Sequence, residues 1–351
     1  MRRKAGEKGE GRSSKVLLVR TDRIGDVVLS LPAASLVKRR LPGAEVHFLT
    51  RAYTAPLAAM APGIDRTLVD EGQGAGVLSR KLRDGGYDAA VMLHPTARLA
   101  AAVLLAGIPV RAGTAYRVYS PLFNRRVPLH RRESLKHELE LNLELVDRGL
   151  GLGASPGEMS RLVPKLAVDP ARSIRTAERL GLEGRKGLVI VHPGSGGSAR
   201  DWPLRNFASL VDRLGGEGLS VAVTLGPGEE GLRREMEPMV SSGPRWVSGL
   251  DLGQLAEVLS QAKLVVSNST GPLHIAAAVG ARALGIYCPV KPCLPRRWGP
   301  YGPGSAVLVP QVPPCGRCLG AACPHWDCME SITVDEVAEK AASMVLNRKS
   351  E

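Results

Sequence analysis

The segment Arg20-Thr-Asp-Arg-Ile-Gly-Asp26 gathers two carboxylates and two guanidinium groups directly after the apolar run Lys15-Val-Leu-Leu-Val-Arg20. Such a run reads as a buried strand, and ligands of open α/β sheets collect beyond the carboxyl ends of strands. Gly25 permits close backbone approach, and Asp26 is expected to begin a helix. There it can cap the helix or act as a general base, and the segment alone fits both roles. Asp22 can instead make a local turn and pair with Arg20 or Arg23.

Three further segments offer groups suited to an anion. In Leu188-Val-Ile-Val-His-Pro-Gly-Ser-Gly-Gly-Ser-Ala-Arg-Asp-Trp-Pro203 a strand runs into a glycine-rich turn, then into the amphipathic stretch Leu204 to Leu214. Gly194, Gly196 and Gly197 can expose backbone N–H groups to phosphate oxygens, and Arg200 adds charge nearby. No Gly-Lys-Ser/Thr follows, so this is not a Walker loop, and the glycine spacing does not fit the dinucleotide fingerprint. In Lys263-Leu-Val-Val-Ser-Asn-Ser-Thr-Gly-Pro-Leu-His274 a strand meets a polar turn, Asn268 to Gly271, that opens a helix. A helix start presents unpaired N–H groups and a positive dipole end to a diphosphate, with His274 in reach. In Leu225-Gly-Pro-Gly-Glu-Glu230, Glu229 can hold ribose hydroxyls or cap the next helix.

The spacing Cys315-x2-Cys318-x4-Cys323-x4-Cys328, with His325 inside it, resembles a metal knuckle. It is tighter than most zinc ribbons, so reduced or partly disulfide-linked cysteines are favoured over a structural zinc, with iron–sulfur behind both. Cys288 and Cys293 read as packing or loop residues.

The elements that must position these groups alternate along the chain. Strand-like runs recur at Lys15–Arg20, Glu45–Thr50, Ala89–Leu93, Leu188–Val191, Ser220–Leu225 and Lys263–Ser267, with helix-length stretches between them, such as Val27 to Arg40. Continuous apolar strands joined by helices indicate parallel sheets of βαβ units. The pattern restarts at Leu188 after a less regular stretch, in which Asp169-Pro170 opens a helix and Gly181 ends it. The expected architecture is therefore α/β, two Rossmann-like domains facing across a cleft. Its parts are a disordered basic tail (1–14), an N-terminal domain (15–165), a linker region (166–187) and a C-terminal domain (188–347). Thr333 to Asn347 reads as a closing helix.

The chain has 351 residues and a net charge of +13, and the charge is uneven: 27 Lys and Arg against 17 Asp and Glu over residues 1–170, then 20 against 17. The basic first half suits an anionic partner, an acidic glycolipid or membrane surface. Aromatics are only 4% of the residues and no aromatic-interleaved basic stripe occurs, so nucleic acid is not expected. No apolar run reaches the roughly 18 residues of a membrane span. The first residues lack a signal-peptide core, so a cytoplasmic protein is expected.

Taken in order, these segments resemble glycosyltransferase family 9, the ADP-heptose:lipopolysaccharide heptosyltransferases. The resemblance runs from about Lys15 to Ala342. It includes Arg20 to Asp26 with Leu31-Pro32, Leu93-His-Pro95, Lys136-His-Glu138, His192-Pro-Gly194, Trp202-Pro203, Ser267 to Gly271, Arg297-Trp-Gly-Pro-Tyr301 and the four-cysteine segment. It implies a GT-B fold with the donor in the C-terminal domain and the acceptor in the N-terminal one. It implies Asp26 as the base, and Arg20, Asp22 and Arg23 are expected on the acceptor side. On the donor side are Gly194, Ser195, Arg200 in place of a lysine, Glu229 near the adenosine, Ser269, Thr270, Gly271 and His274. Ser269 stands where the family carries an aspartate, which leaves the donor sugar open. The implied reaction is an inverting, metal-independent single displacement with no cofactor. The implied partners are an ADP-sugar and the inner core of lipopolysaccharide, met at the inner face of the cytoplasmic membrane. A transferase with another nucleotide sugar or acceptor glycan, and a non-catalytic nucleotide- or glycan-binding protein, are the alternatives.

Overall fold

A computed structural model describes residues 14–182, 187–197 and 199–346. The expected tail, apart from Ser14, lies outside the described residues, as do residues 183–186 of the expected linker, Ser198 and residue 347.

Twelve strands form two six-stranded sheets. The first holds β1 (Lys15–Val19), β2 (Glu45–Arg51), β3 (Arg66–Asp70), β4 (Ala89–Met92), β5 (Val110–Thr114) and β6 (Arg125–Val127), in the order β3-β2-β1-β4-β5-β6. The second holds β7 (Val189–His192), β8 (Val221–Thr224), β9 (Arg245–Val247), β10 (Leu264–Asn268), β11 (Arg282–Ile286) and β12 (Ser305–Leu308), in the order β12-β11-β10-β7-β8-β9. Every strand pairing in both sheets is parallel. Read from its other edge, the second order repeats the first, so each half is doubly wound. The winding reverses between β1 and β4 in one half and between β7 and β10 in the other. A crevice opens at such a reversal. The central strands are apolar throughout because helices cover both faces: β4, β7 and β8 are buried at every position.

The stretch expected as one helix over Val27 to Arg40 is two, Ile24–Val28 and Pro32–Arg40. Pro32 has no N–H to offer the Val28 carbonyl, which takes the Leu31 N–H instead at 3.2 Å, and the chain turns. Helix Glu138–Leu150 begins in a capping box of His137 and Glu140 and ends at Gly151, whose φ of 69° is the left-handed conformation of a helix stop. Asp169 caps Pro170–Arg179, and Val334–Leu346 packs into the second half through Val337, Ala338 and Ala341. The expected linker is not a free strap. Thr176 donates to the buried Glu257 at 2.6 Å, and Leu166 and Ala167 bond Ala278 and Met60, one in each half.

One apolar core joins the halves, from Val27, Val28 and Leu57 through Leu273 and Ile275 to Ile190 and Val265. At its centre helix Ile24–Val28 crosses helix Gly271–Ala278. A Cβ on Gly271 would stand 2.6 Å from Ile24 Cβ, and one on Gly25 2.7 Å from His274 Cδ2. Only glycine lets the two helix starts meet this closely. No helix among the described residues is long and apolar enough to cross a membrane.

Candidate active site

The two crevices face each other. A cavity of about 790 Å³ lies at the β1/β4 reversal, lined by Arg20, Asp22, Asp26, His94, Arg131 and Glu138 among others. A second, of about 480 Å³, lies between the halves, lined by Arg23, Asp26, Ser195, Thr270, Gly271 and His274 among others. Asp26 and Trp298 border both.

Asp26 is the third residue of its helix and caps nothing: Arg23 holds the cap position, with no side-chain cap bond. Its carboxylate is instead paired with Arg20 Nη2. Burial pushes the Asp26 carboxyl from its ordinary 3.8 up to about 6; Arg20 opposes the rise, and Asp22 and Glu138 add to it. A carboxyl so placed is ionised at neutral pH yet more basic than an exposed one, the requirement for a general base.

Arg20, the residue after β1, is buried and donates to Asp22 Oδ1 at 2.7 Å, Glu138 Oε1 at 3.1 Å, Asn142 Oδ1 at 3.3 Å and the Leu93 carbonyl at 3.3 Å. Burial works against its charge, but Asp22, Asp26 and Glu138 hold the guanidinium protonated beyond its ordinary value. Asp22 pairs with Arg20 as anticipated and also with His94 Nδ1 at 3.1 Å. Both line the larger cavity, the expected acceptor side. Arg23 does not: it lines the smaller one, because the turn from β1 into the helix directs it to the other wall.

Around the smaller cavity the sequence-chosen groups divide. Ser195 and Gly196, from the turn after β7, and Ser269, Thr270, Gly271 and His274, from the turn after β10, line it together. Gly196 and Gly197 have φ of 57° and 69°, which keeps the turn open to backbone N–H contacts. Asn268 pins both turns, donating to the Pro193 carbonyl at 2.7 Å and accepting from the Trp202 N–H at 3.0 Å. Trp202 is an anchor, its indole N–H bonded to the Ile332 carbonyl at 2.8 Å. His274 is buried, which lowers its pKa to about 3, helped by His137, so the imidazole at the cavity wall is neutral. Its Nδ1 has no hydrogen-bond partner within the described residues.

Glu229 and Gly194 stand behind this wall. Glu229 holds the cap position of the helix Glu230–Met236 without a side-chain cap bond; it accepts from the Gly226 N–H at 2.7 Å and lies 3.7 Å from His192 Nε2. A Cβ on Gly194 would fall 2.0 Å from its Oε1, so Gly194 is the residue that admits Glu229 beneath the turn. Arg200 departs from expectation. It does not line the cavity; its guanidinium stacks 5.1 Å from the Trp326 ring, bonds the Trp326 carbonyl and reaches Cys318 Sγ at 3.4 Å.

The cysteine segment does not make the knuckle considered from its spacing. None of the six cysteines is in a disulfide, and the described residues hold no group of three or more His, Cys, Asp or Glu able to take a metal. Cys328 is packed into the second core beside Met329 and Ile332. Cys293, read as an ordinary loop residue, lines the smaller cavity.

Sequence reasoning gave no role to Glu138, Arg131, Arg297 or Trp298. Glu138 is 1% exposed and accepts from Arg20, Arg131 and, at 3.2 Å, Arg297 of the second half. Burial would raise its pKa, but the three arginines bring it down to about 2. The Lys136-His-Glu138 and Arg297-Trp298 segments were visible, but nothing local announces that they pair.

A family model for glycosyltransferase family 9 (heptosyltransferase) matches residues 76–326. A Haemophilus influenzae protein provisionally named a glycosyltransferase is 30% identical over 314 residues, 86% of this chain and 90% of that one. Lipopolysaccharide heptosyltransferase 2 of Escherichia coli is 25% identical over 292 residues, 79% of this chain and 84% of that one. The solved structure of the E. coli ADP-heptose lps heptosyltransferase II superposes with a TM-score of 0.81 at 22% identity, over 95% of this chain and 98% of that one. That last likeness is one of fold: two facing doubly wound domains, the GT-B arrangement.

Proposed function

The chain belongs to glycosyltransferase family 9, the heptosyltransferases, and is a glycosyltransferase; from that premise we propose that it moves a heptose from ADP-heptose to the inner core of a lipopolysaccharide, with Asp26 as general base. The observation that carries this reading is that Asp26 borders both cavities and is, among the described residues, the one carboxylate bordering the smaller. The acceptor occupies the larger cavity beside Arg20, Asp22 and His94, and the donor the smaller.

Asp26 removes the proton from an acceptor hydroxyl as that oxygen attacks the anomeric carbon from the face opposite the diphosphate. One C–O bond forms, the bond to ADP breaks, and the configuration inverts. Charge gathering on the departing diphosphate is met by the N–H groups of the Ser195–Gly197 turn, by the helix start at Gly271 and by Arg23. These are oriented backbone dipoles and a cation on the cavity wall, so the reading calls for no divalent metal or other cofactor. Neutral His274 adds a hydrogen bond rather than a charge. Arg200 assists only if it leaves Trp326. The acceptor is anionic, in keeping with the basic first half, and the enzyme works on the cytoplasmic face of the membrane as a peripheral protein, with no role for nucleic acid.

Ser269, in place of the aspartate of the family motif, favours a second reading in which another ADP-sugar is the donor. Incubation with ADP-heptose and truncated lipopolysaccharide cores, read by mass spectrometry, tests both. A heptose mass increment on the core supports the first. Its absence, with transfer from a different nucleotide sugar, moves the assignment to the second.

A further inference from the structure

Glu138 is a buried carboxylate that the transfer step does not use. It is the first residue of helix Glu138–Leu150, where the dipole favours a negative charge. Three arginines converge on it from separate parts of the chain: Arg20 after β1, Arg131 after β6, and Arg297 from the second half. One turn along the same helix, Asn142 accepts from Arg20 at 3.3 Å and Arg131 at 3.0 Å. Asn142 also donates to Ser30 Oγ at 3.0 Å, and Ser30 Oγ donates to the Asp26 carbonyl at 2.7 Å.

Arg20 is the link. A guanidinium is planar, so fixing one edge fixes the other. Its Nη1 is held by Glu138, Asn142 and the Leu93 carbonyl, its Nε by Asp22, and its Nη2 faces Asp26. The far end of this chain of contacts lies in the other domain, since Arg297 reaches Glu138 and the neighbouring Arg296 bonds the Leu135 carbonyl at 2.8 Å.

We propose that Glu138 is a positioning residue for the transfer: it locks the Arg20 guanidinium so that Nη2 orients the Asp26 carboxylate, and through Arg297 it makes that orientation depend on docking of the second domain. This rests on Asp26 being the base. The charged and titratable groups around the pair bear on its pH behaviour. Asp26 faces Arg20 and Asp22, with Glu138 beyond, Arg23 and Tyr53 across the smaller cavity, and His274 on the crossing helix. Glu138 faces Arg20, Arg131 and Arg297, with His137 and Glu140 beside it on its own helix.

The test compares Glu138→Gln and Glu138→Asp with the parent in transfer kinetics from pH 5 to 8, ADP binding and melting temperature. In Glu138→Gln, kcat should fall by ~10- to 100-fold, the cost of a misplaced catalytic group, while ADP affinity stays within about twofold because the donor wall is untouched. Its acidic limb should move to lower pH, since a carboxylate opposing Asp26 ionisation is gone and Arg20 turns wholly to Asp22 and Asp26. Glu138→Asp keeps the charge but shortens the reach; its limb should stay with the parent while kcat falls several-fold. A folded Glu138→Gln with parental kcat and limb overturns the proposal. If Glu138→Gln does not fold, parental kcat in Glu138→Asp overturns it as well. Asp26→Asn separates the two claims: a parental rate there defeats the base assignment, whereas a dead Asp26→Asn beside an unaltered Glu138→Gln defeats only the positioning role.

Discussion

Replacing Asp26 by asparagine should abolish transfer and at the same time make the protein more stable. The Asp26 side chain is 16% exposed, and burial lifts its pKa from 3.8 to about 6 despite Arg20. A rise of roughly two pH units, at about 1.4 kcal/mol each, means that keeping this carboxylate ionised at pH 7 to 8 costs the fold about 3 kcal/mol. The sign follows from the direction. A group whose folded pKa is raised contributes stability fully below its unfolded pKa, near 4, and loses it as pH climbs through about 6. Asparagine mimics the protonated form at every pH. The variant should therefore match the parent at pH 4, gain about half the difference near pH 5, and level off about 3 kcal/mol more stable above pH 7. Arg20 is not orphaned by the change, because Asp22 and Glu138 still flank it. Urea unfolding of both proteins at pH 5, 6, 7 and 8, with ADP binding measured in parallel, reads the effect. A variant less stable than the parent at pH 8, or a difference of equal size at pH 5 and 8, refutes the reasoning.

Three further outcomes are expected. With a base of pKa about 6, kcat/KM for transfer should fall about tenfold for each pH unit below 6, reaching about a tenth at pH 5; a limb near pH 4 would place the ionising group elsewhere. Gly271→Ala sets a Cβ 2.6 Å from Ile24 Cβ and 2.8 Å from its Cγ2, so it should cost about 1–3 kcal/mol and weaken the domain contact, seen as a lower melting temperature with a raised donor KM. Gly194→Ala sets a Cβ 2.0 Å from Glu229 Oε1, which must displace the turn or the glutamate; calorimetry should find ADP binding weakened about tenfold or more, and unchanged affinity would remove both from the donor site.

Much of the frame was legible because parallel sheets write themselves as short apolar runs. Val16 to Val19, Val189 to Val191 and Val265 to Val266 are buried on both faces and carry no polar alternation. The polar turns after β1, β7 and β10 were legible for a related reason: each lies where the winding reverses, so glycine and hydroxyl side chains there face a crevice. The differences between sequence pattern and structure share another cause. Val27 to Arg40 reads as one helix because the apolar period continues through Leu31, although Pro32 breaks the bonding. Arg200 follows the glycine turn in sequence, but Trp326, 126 residues away, supplies its partner in the fold. Arg23 is adjacent in sequence to Asp22, yet one step along the turn places it on the wall of the other cavity. Glu138 could not be found locally, because its meaning lies in contacts 118 and 159 residues away.

The duplicated winding explains why one carboxylate can serve both cavities. In each half a strand at the winding reversal ends in a turn and a helix start, β1 leading to Ile24–Val28 and β10 to Gly271–Ala278, and these two starts are opposed. Helix starts are positive and do not attract one another. They meet here because Gly25 and Gly271 remove the side chains that would hold them apart, and because an apolar core closes behind them. Asp26 stands at that meeting as the third residue of one start, facing the cavity that the other start lines. Two positive dipole ends and Arg20 all favour its ionised form, yet burial still lifts its pKa. Desolvation thus outweighs the attraction, and the carboxylate keeps more basicity than its cationic surroundings alone would allow. Arg20 contributes by orienting it without quenching it, since Asp22 and Glu138 already share that guanidinium. A carboxylate with fewer competitors for Arg20 would be a firmer salt bridge and a poorer base.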